Sequence, residues 1–271
     1  MTTDLRFAKG HGTGNDFVIL PDPDDRRPLT AAVVAALCDR RRGVGGDGVL
    51  RVVRRDGGWF MDYWNADGSL AEMCGNGARV YARYLVAAGL AEPGRIRIGT
   101  RAGTVTAMVT DDAVSVDMGG RPRPYGEGAA TVPGATYQGT AVDCGNPHLV
   151  CPVEGAALDR VDLSRPPQVD PGLFPHGVNV EFVAPVSDGH VRMRVHERGV
   201  GETLSCGTGA CAAAAVALRD AGRPTGAVTV DVPGGRLTVT LDEHTCWLTG
   251  PAVIVATGVV DLAGLVNLGS V

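Results

Sequence analysis

Apolar and polar residues alternate along much of the chain in short runs. Residues 190–196 show the pattern clearly, since Val191, Met193 and Val195 alternate with polar or charged side chains. A period of two predicts half-buried β-strands, because successive side chains of a strand point to opposite faces. Strands are also predicted over residues 5–10, 16–20, 49–54, 59–64, 95–109, 113–118, 136–143, 148–152, 178–184, 228–232, 236–241, 246–248 and 252–256.

Three segments have helical composition instead. Residues 75–88 and 210–221 are rich in alanine, and the second is so apolar that we expect it to be buried inside its domain. Thr30 is a suitable N-cap for a helix that runs to Arg42, with Gly43 just past its end. Many short strands with one central helix in each half predict an α+β fold rather than alternating βαβ units.

The two alanine-rich helices begin with the same motif, Cys-Gly-polar-Gly-Ala, at Cys74 and at Cys206. Other pairs keep an offset of 131 or 132 residues in the same order: Gly14-Asn15 with Gly145-Asn146, Gly45 with Gly177, Gly103 with Gly235, and Gly119 with Gly250. We infer two copies of one unit, each of ordinary domain size. The predicted domains are residues 1–118 and 119–261, with a Pro/Gly-rich linker over 119–133. Residues 262–271 are predicted to pack back on the first domain.

Such duplicated halves commonly pack about a pseudo-twofold axis, so that corresponding loops face each other across one cleft. The expected fold is therefore two pseudo-symmetric domains, each a curved, mostly antiparallel sheet or barrel around a central helix. In that arrangement the two repeated cysteines would meet.

Composition narrows the possible partners. The chain has 271 residues, 20% charged residues and a net charge of −5, and its one basic run is Arg40-Arg41-Arg42. We interpret that run as a solvated helix end, and we expect neither nucleic acid nor membrane as a partner. Seven widely spaced cysteines without a CxxC pair predict neither disulfides nor a metal site, which fits a reducing cytoplasm.

Cys74 and Cys206 are the candidate catalytic residues. A cysteine at a helix N-terminus faces unpaired N–H groups and the positive end of the helix dipole, which lowers the pKa of its thiol. Two such thiols indicate one proton acceptor and one proton donor. We interpret the other cysteines as buried structural thiols: Cys38, Cys144, Cys151, Cys211 and Cys246.

Polar residues in Gly-rich loops and at strand ends indicate a pocket for a polar or zwitterionic small molecule. Five asparagines share that placement: Asn15, Asn65, Asn76, Asn146 and Asn179. Glu197 and Arg198 could bind an ammonium and a carboxylate respectively, and the N–H groups around Gly207 and Thr208 suit a carboxylate. His148 could adjust the pKa of a neighbouring thiol.

The only lysine, Lys9, lies in a predicted strand with no evident phosphate-binding loop. Pyridoxal phosphate needs a Schiff-base lysine, so the sequence argues against that cofactor.

These residues together resemble the diaminopimelate epimerases, a family of cofactor-independent amino-acid epimerases. The resemblance rests on Lys9 to Gly12, Gly14 to Phe17, Asn65 to Ser69, Met73 to Arg79, Gly145 to His148, Gly177 to Glu181, Glu197 to Thr203 and Cys206 to Gly209. It implies conversion of LL- to meso-diaminopimelate on the route to lysine and peptidoglycan. It also implies no cofactor and a homodimer.

The resemblance further implies roles for single residues. Cys74 and Cys206 correspond to the two catalytic bases, and His148 and Glu197 to groups that adjust thiol pKa. The implied substrate contacts are Asn15, Asn65, Gly75, Asn76, Asn146, Asn179, Glu197, Arg198, Gly207 and Thr208. Many members carry a glutamine where this chain has Gly48, so that contact is missing here or replaced by main chain.

Three alternatives stay open on the sequence. A proline or hydroxyproline racemase would tend to carry histidine in place of Asn76 and to lack the Glu197-Arg198-Gly199 run. A thiol–disulfide or peroxide sensor would use Cys74 and Cys206 as a switch, without an amino-acid ligand. An amino-acid-binding module would keep its function when either cysteine is changed to alanine.

Overall fold

This computed structural model describes residues 4–267. The chain divides into two compact units. The first contains the described residues up to Val116 together with those from Pro251 onward, and the second is Asp117–Gly250. Each unit is built mainly of antiparallel strands around one long helix, which confirms the predicted α+β class.

The N-terminal unit consists of eight strands and three helices in its described residues. Its strands are β1 Asp4–Gly12, β2 Asn15–Pro21, β3 Gly48–Arg55, β4 Gly58–Asn65, β5 Gly94–Thr100, β6 Gly103–Val109, β7 Val114–Asp117, whose last residue falls in the other unit, and β17 Val253–Asp261. Its helices are α1 Ala31–Cys38, α2 Gly75–Ala87 and α4 Leu262–Asn267.

The C-terminal unit has its own set. Its strands are β8 Arg123–Val132, β9 Ala135–Asp143, β10 Pro147–Pro152, β11 Asn179–Ser187, β12 His190–Glu197, β13 Gly201–Thr203, β14 Gly226–Val232, β15 Gly235–Leu241 and β16 Cys246–Gly250. A 3-10 helix spans Gly155–Arg160, and the long helix is α3 Gly207–Asp220.

Both units pair their strands in the same order and with the same directions. In the first, β1 is antiparallel to β2, β2 parallel to β3, β3 antiparallel to β4, β4 parallel to β5, and β5, β6 and β7 antiparallel in turn. The second repeats this with β9, β10, β11, β12, β14, β15 and β16. The internal duplication seen in the sequence is therefore a duplication of topology.

One strand of each copy comes from a different place in the chain. In the C-terminal unit β8 pairs antiparallel with β9, and its counterpart in the N-terminal unit is β17, which pairs with β1 from Asp4↔Asp261 to His11↔Val253. The sequence analysis assigned residues 253–261 to the second domain, because the order of residues alone does not indicate that the chain returns to the first domain. The structure places them with the first unit, where they supply the strand that precedes β1 in the repeat.

Residues 119–133, predicted as a linker, largely form β8. Its ten residues pair with β9 from Arg123↔Asp143 to Val132↔Ala135, with a register shift between Pro124 and Gly126. Proline and glycine are tolerated there because, among the described residues, the other edge of β8 carries only the isolated bridge between Thr131 and Gln168.

The long helix α3 of the C-terminal unit packs against its sheet by small residues. In α3 the run Ala210 to Ala214 is buried and joins a core that includes Met193, Val230 and Leu237. The expectation of a buried helix over 210–221 is thus confirmed, with the helix beginning at Gly207. Close packing of alanines brings the first turn of the helix down to the strand ends, where the candidate polar residues lie.

Helix α1 is shorter than predicted. Thr30 is its N-cap and accepts from the N–H of Val33, as expected, but the helix ends at Cys38 instead of Arg42. Asp39 Oδ1 accepts hydrogen bonds from the N–H groups of both Arg41 and Arg42, a local turn that competes with further helix. The three arginines therefore belong to a loop rather than to a helix end.

The end of the chain returns to the first unit. Leu262 and Leu265 of α4 lie against the core cluster that contains Val34 and Leu37 of α1. Residues 268–271, part of the predicted returning tail, lie outside the described residues. Over residues 4–267 every helix is too short or too polar to cross a bilayer.

Candidate active site

Cys74 caps the N-terminus of α2 with its sulfur. Its backbone is extended, with φ −140° and ψ 123°, and the N–H of Gly77 donates to Sγ at 3.4 Å. The N–H groups of Gly75 and Asn76 belong to the same first turn, where the helix itself offers no acceptor.

Two predicted asparagines lie against Cys74. The Asn15 Oδ1 atom is 3.6 Å from Cys74 Sγ and 3.4 Å from the Nδ2 atom of Asn76. Asn15 is the first residue of β2, directly after a turn in which Thr13 and Gly14 both have positive φ. The structure thus brings Asn15, Cys74, Gly75 and Asn76 together, although 59 residues separate the first two.

Asn65 is held at the end of β4 by a close approach of two strands. It pairs with Gly48 of β3, and its Nδ2 atom donates to Ser69 Oγ at 3.0 Å. A Cβ atom on Gly48 would lie 2.4 Å from the carbonyl oxygen of Trp64 and 2.8 Å from the Tyr63 ring. The glutamine common in the resembling family therefore does not fit this backbone, and the sequence departure at Gly48 is a packing adaptation.

Cys206 repeats the geometry of Cys74 in the C-terminal unit. Its backbone is extended, with φ −114° and ψ 118°, and the N–H of Gly209 donates to Sγ at 3.4 Å. The Thr208 hydroxyl lies 3.5 Å from the same sulfur. Each copy of the Cys-Gly-polar-Gly motif therefore forms a helix N-terminus that is capped by the cysteine sulfur, so the repeated motif corresponds to a repeated local structure.

The environment of Cys206 reverses one expectation. The sequence predicted a lowered thiol pKa from the helix N-terminus, but burial, followed by the carboxylates of Glu197 and Glu181, raises the pKa of Cys206 well above 9.0. The hydrogen bonds from Thr208 and Gly209 oppose this shift without overcoming it. A pKa raised in this way favours the protonated thiol of Cys206, which suits a proton donor.

Glu197 is in direct contact with that thiol. Cys206 donates a hydrogen bond to its carboxylate, and the Thr203 hydroxyl donates to Oε1. Burial raises the pKa of Glu197, and the nearby charge of Glu181 adds to the effect. Glu197 was predicted both to adjust a thiol and to bind an ammonium, and these contacts support the first of the two roles.

His148 lies next to a glutamate that the sequence analysis did not select. The His148 ring contacts Glu181 Oε1 through Nδ1 at 2.7 Å and Asn146 Oδ1 through Nε2 at 3.0 Å. Both His148 and Glu181 are fully buried. Burial raises the pKa of Glu181, and the charge of His148 offsets that only in part.

Glu181 could have been found in the sequence. It stands on an apolar strand between Val180 and Phe182, where a carboxylate has no structural reason to be. A Cβ atom on Gly209 would lie 2.6 Å from Glu181 Oε1, so glycine in the first turn of α3 makes room for the carboxylate. Glu181 therefore joins the candidate site, between His148 and the helix that carries Cys206.

Asn179 and Arg198 form a separate pair. Asn179 Oδ1 accepts from the backbone N–H of Arg198 at 2.9 Å, and Arg198 Nη1 donates to the carbonyl oxygen of His176 at 2.9 Å. The stem of Arg198 covers Gly177, whose φ is +77°. The arginine is exposed and oriented by these contacts, while Asn179 supports the backbone next to Glu197.

A cavity of about 430 Å³ opens in the C-terminal unit beside the first turn of α3. Arg121, Asp143, Gly145 and Thr208 contribute to its wall. This volume falls in the range of small-molecule sites, roughly 300–1,000 Å³. Across residues 4–267, histidine, cysteine and acidic side chains form no group of three or more that could hold a metal ion.

Other thiols and the single lysine have structural surroundings. Burial raises the pKa of Cys38 to about 11 and that of Cys151 to about 12, and it raises the pKa of Cys144 as well. A hydrogen bond with Cys246, followed by burial, raises the pKa of Cys211. Thiols in this state are inert at neutral pH. Lys9 Nζ lies 2.5 Å from Asp16 Oδ2 in a largely buried ion pair.

Comparison with known proteins fits this geometry. A family model described as diaminopimelate epimerase matches residues 7–123 and 140–262. Diaminopimelate epimerases of Rhodococcus jostii (strain RHA1) and Mycobacterium tuberculosis (strain ATCC 25177 / H37Ra) are each 52% identical over 95% of this chain, and the matches span 97% and 96% of those proteins. The chain belongs to the diaminopimelate epimerase family. It is accordingly an enzyme of the isomerase class.

Solved structures share the fold of this diaminopimelate epimerase family member. A hydroxyproline epimerase from Agrobacterium vitis superposes with a TM-score of 0.69 and 17% identity, over 96% of this chain and 94% of that one. A PhzF-family phenazine biosynthesis protein from Bacillus anthracis gives a TM-score of 0.70 and 17% identity, over 95% and 99%. Identities this low show a shared fold but do not identify the substrate, which has to be inferred from the site residues.

Proposed function

We propose that this chain converts LL-2,6-diaminopimelate to meso-diaminopimelate with two cysteines and no cofactor. The observation that carries the proposal is the repeated sulfur-capped helix, in which Cys74 and Cys206 each accept an N–H at 3.4 Å. Membership of the diaminopimelate epimerase family supports the choice of substrate. The product would serve lysine and peptidoglycan synthesis.

Two thiols solve the central difficulty of inverting an amino-acid α-carbon. One thiolate removes the α-proton from one face while a protonated thiol delivers another proton to the opposite face. Cys206 suits the donor role because burial and two carboxylates raise its pKa. In the reverse direction the Cys206 thiol proton would pass to Glu197, which already accepts it in a hydrogen bond and whose pKa is raised by burial, because Cys206 ionises with difficulty beside an ionised Glu197.

The first turns of α2 and α3 would stabilise the carboxylate of the reacting centre. Gly75, Asn76, Gly207 and Thr208 present N–H groups at helix N-termini, where the dipole favours negative charge. As the α-carbon loses its proton, charge develops towards this carboxylate. Fixed donors around it lower the energy of that state without needing an electron sink.

The lysine environment supports a mechanism without pyridoxal phosphate. Lys9 is engaged by Asp16 and by the carbonyl oxygen of Gly45, and its ammonium is one of the charges that stabilise the Asp16 carboxylate. A Schiff base would need that amine neutral and accessible. Breaking the ion pair to free it would leave Asp16 partly uncompensated.

The decisive experiment is proton NMR in D₂O with LL-diaminopimelate and no added cofactor. We expect loss of the α-proton signal and appearance of meso product. Cys74→Ala and Cys206→Ala should each reduce epimerisation by at least ~100-fold while the fold is retained, since each removes an acid–base group. Substantial epimerisation by either variant would reject the two-base proposal. If the parent protein binds diaminopimelate without converting it, and both alanine variants bind it with the same affinity, the chain is better described as a binding module.

The same assay tests recognition of the distal amino-acid head. Asn65 and Asn179 are the proposed contacts of that head, and an unpaired polar group at a buried site costs roughly 1–3 kcal/mol. Lysine, which lacks the distal carboxylate, and DD-diaminopimelate should therefore exchange their α-protons far more slowly. Comparable exchange would show that the protein does not recognise the distal head, and the proposed function would then be reduced to that of a less specific amino-acid racemase.

We also propose a homodimer in the cytoplasm. Strand β17 exposes three large apolar side chains, those of Val253, Val255 and Val259. Light scattering should give twice the chain mass of 28.0 kDa. A mass of one chain at micromolar concentration would contradict the dimer without affecting the proposed reaction.

A further inference from the structure

The side chain of Asn15 has chemically different neighbours at its two ends. Its Nδ2 atom donates to Asp47 Oδ2 at 2.7 Å, while its Oδ1 atom faces Cys74 Sγ at 3.6 Å and Asn76 Nδ2 at 3.4 Å. An asparagine amide fits almost equally well after a half-turn that exchanges these two ends. An ionised carboxylate only accepts hydrogen bonds, so Asp47 selects the orientation with the oxygen towards the thiol.

Asp47 is held in place although its side chain is 44% exposed. Its backbone N–H donates to the carbonyl oxygen of Asp16 at 2.8 Å, and its Oδ2 atom accepts from the Asp16 N–H at 3.1 Å. Its other oxygen, Oδ1, accepts from Arg40 Nη2 at 2.7 Å. The carboxylate is therefore fixed at both oxygens and at the backbone.

Arg40 is anchored in turn by a two-point contact. Nη1 donates to Asp16 Oδ2 at 3.0 Å and Nη2 to Asp16 Oδ1 at 2.7 Å, a planar fork that lysine cannot reproduce. Burial raises the pKa of Asp16, but hydrogen bonds and charges from Arg40 and Lys9 outweigh it and hold the pKa well below its usual range. The anchor therefore stays ionised throughout the neutral range.

The neighbouring arginine provides a contrast. Within the described residues Arg42 forms its ion pair with Asp39, the residue directly after the end of α1, and its side chain is 69% exposed. Of the basic run at residues 40–42, Arg40 alone reaches the residues around Cys74. The interpretation of that run as a solvated helix end fails at this position.

We propose that Arg40 and Asp47 are positioning residues that lock the amide of Asn15 with its oxygen towards Cys74, and so keep this thiol protonated in the free enzyme until substrate binds. The role rests on the proposed two-cysteine reaction. With the oxygen towards sulfur, the S–H group has an acceptor, whereas a thiolate would face an oxygen lone pair. With the amide reversed, an N–H would face sulfur and favour the thiolate.

The test measures the thiol directly and needs no substrate. Parent protein, Asp47→Asn and Arg40→Leu are alkylated with iodoacetamide across pH 6 to about 10, spanning the thiol range, and modified Cys74 is quantified by peptide mass spectrometry. We expect both variants to react several-fold faster at Cys74 near neutral pH, with Arg40→Lys between them and the parent. Cys206 in the same samples is the internal control, and Arg42→Leu is the matched variant that should leave Cys74 unchanged.

A double-mutant cycle separates positioning from a general structural effect. Asn15→Ala removes the acceptor, so it should speed alkylation of Cys74 by itself, and adding Asp47→Asn should then change nothing further. Epimerisation by Asp47→Asn should fall between about tenfold and a hundredfold, as small misplacements of reacting groups do. Asp47→Asn is nearly isosteric and keeps the test usable if Arg40→Leu does not fold.

The outcomes distinguish this proposal from the proposed function. Faster alkylation that depends on Asn15 supports the lock, even if the parent protein shows no epimerisation of diaminopimelate. Identical Cys74 profiles in parent, Asp47→Asn and Arg40→Leu would overturn it, even if epimerisation is robust. An effect of Asp47→Asn that persists in the Asn15→Ala background would also overturn it.

Discussion

At the scale of single residues, the two proposed catalytic thiols share a capping geometry but differ in their neighbours. Cys74 faces the amide oxygen of Asn15, which also accepts from Asn76, whereas Cys206 faces the carboxylate of Glu197. An amide can favour either protonation state by turning, but a carboxylate favours the thiol as long as it stays ionised. The repeat therefore fixed the position of the sulfurs and left their proton affinities to be set by different partners.

Glu197→Gln tests this difference. Burial and the carboxylates of Glu197 and Glu181 raise the pKa of Cys206, so removing one charge lowers that pKa and increases the thiolate fraction at any pH below it. We expect faster alkylation of Cys206 at pH 8, measured by peptide mass spectrometry, together with epimerisation reduced by about 10²-fold. Glu202→Gln, which removes an exposed carboxylate paired with Arg194, should change neither quantity. A slower reaction of Cys206 in Glu197→Gln would contradict the assigned cause.

At the scale of elements, glycines allow the strands and helices to approach each other at the site. Gly48 permits β3 and β4 to bring Asn65 into position, and Gly209 permits α3 to lie over Glu181. Both have little room for a Cβ atom, while neither requires a positive φ. The need for glycine here is one of distance between elements and not of backbone conformation.

Gly48→Ala should lower the free energy of unfolding by about 1–3 kcal/mol, because its Cβ would lie 2.4 Å from the Trp64 carbonyl oxygen. The matched control is Gly58→Ala in the same hairpin, where the nearest atom to a Cβ is 3.8 Å away. That change should leave stability equal or slightly raised, since alanine reduces the freedom of the unfolded chain. Urea titration measures both, and equal stabilities of the two variants would disprove the close-approach argument.

At the scale of the whole molecule, the two units are copies of one topology that are completed differently. The C-terminal unit contains all its strands within Asp117–Gly250, including β8. The N-terminal unit needs β17 from the far end of the chain to pair with β1. Folding of the first unit therefore requires contacts between the first and last described strands, while folding of the second does not.

This asymmetry predicts the behaviour of fragments. Residues 117–250 alone should fold, whereas residues 1–116 alone should not, because one edge of β1 and the apolar side chains under β17 would be left uncovered. Circular dichroism and the dispersion of amide proton signals measure this. A chain of residues 251–267 joined through a flexible linker ahead of residue 4 should restore folding of the first fragment. Cooperative unfolding of residues 1–116 by themselves would contradict the prediction.

The sequence by itself determined the features that are local or repeated. Alternating positions located most strands, and the Thr30 cap and the two Cys-Gly motifs located the helix starts, because capping and side-chain periodicity depend on neighbouring residues. The constant offset of 131 or 132 residues revealed the duplication, and the resemblance supplied the family.

Only the tertiary structure decided which distant residues meet. The return of β17, the conversion of the supposed linker into β8, and the placement of Arg40 against Asp16 and Asp47 all depend on pairings between segments far apart in the chain. So does the pKa of Cys206, since desolvation and the charges of Glu197 and Glu181 outweigh the helix terminus that the sequence made visible. Local patterns specify where a thiol lies on its helix, but burial and the charges that the fold brings around it specify its pKa, and so whether it is protonated.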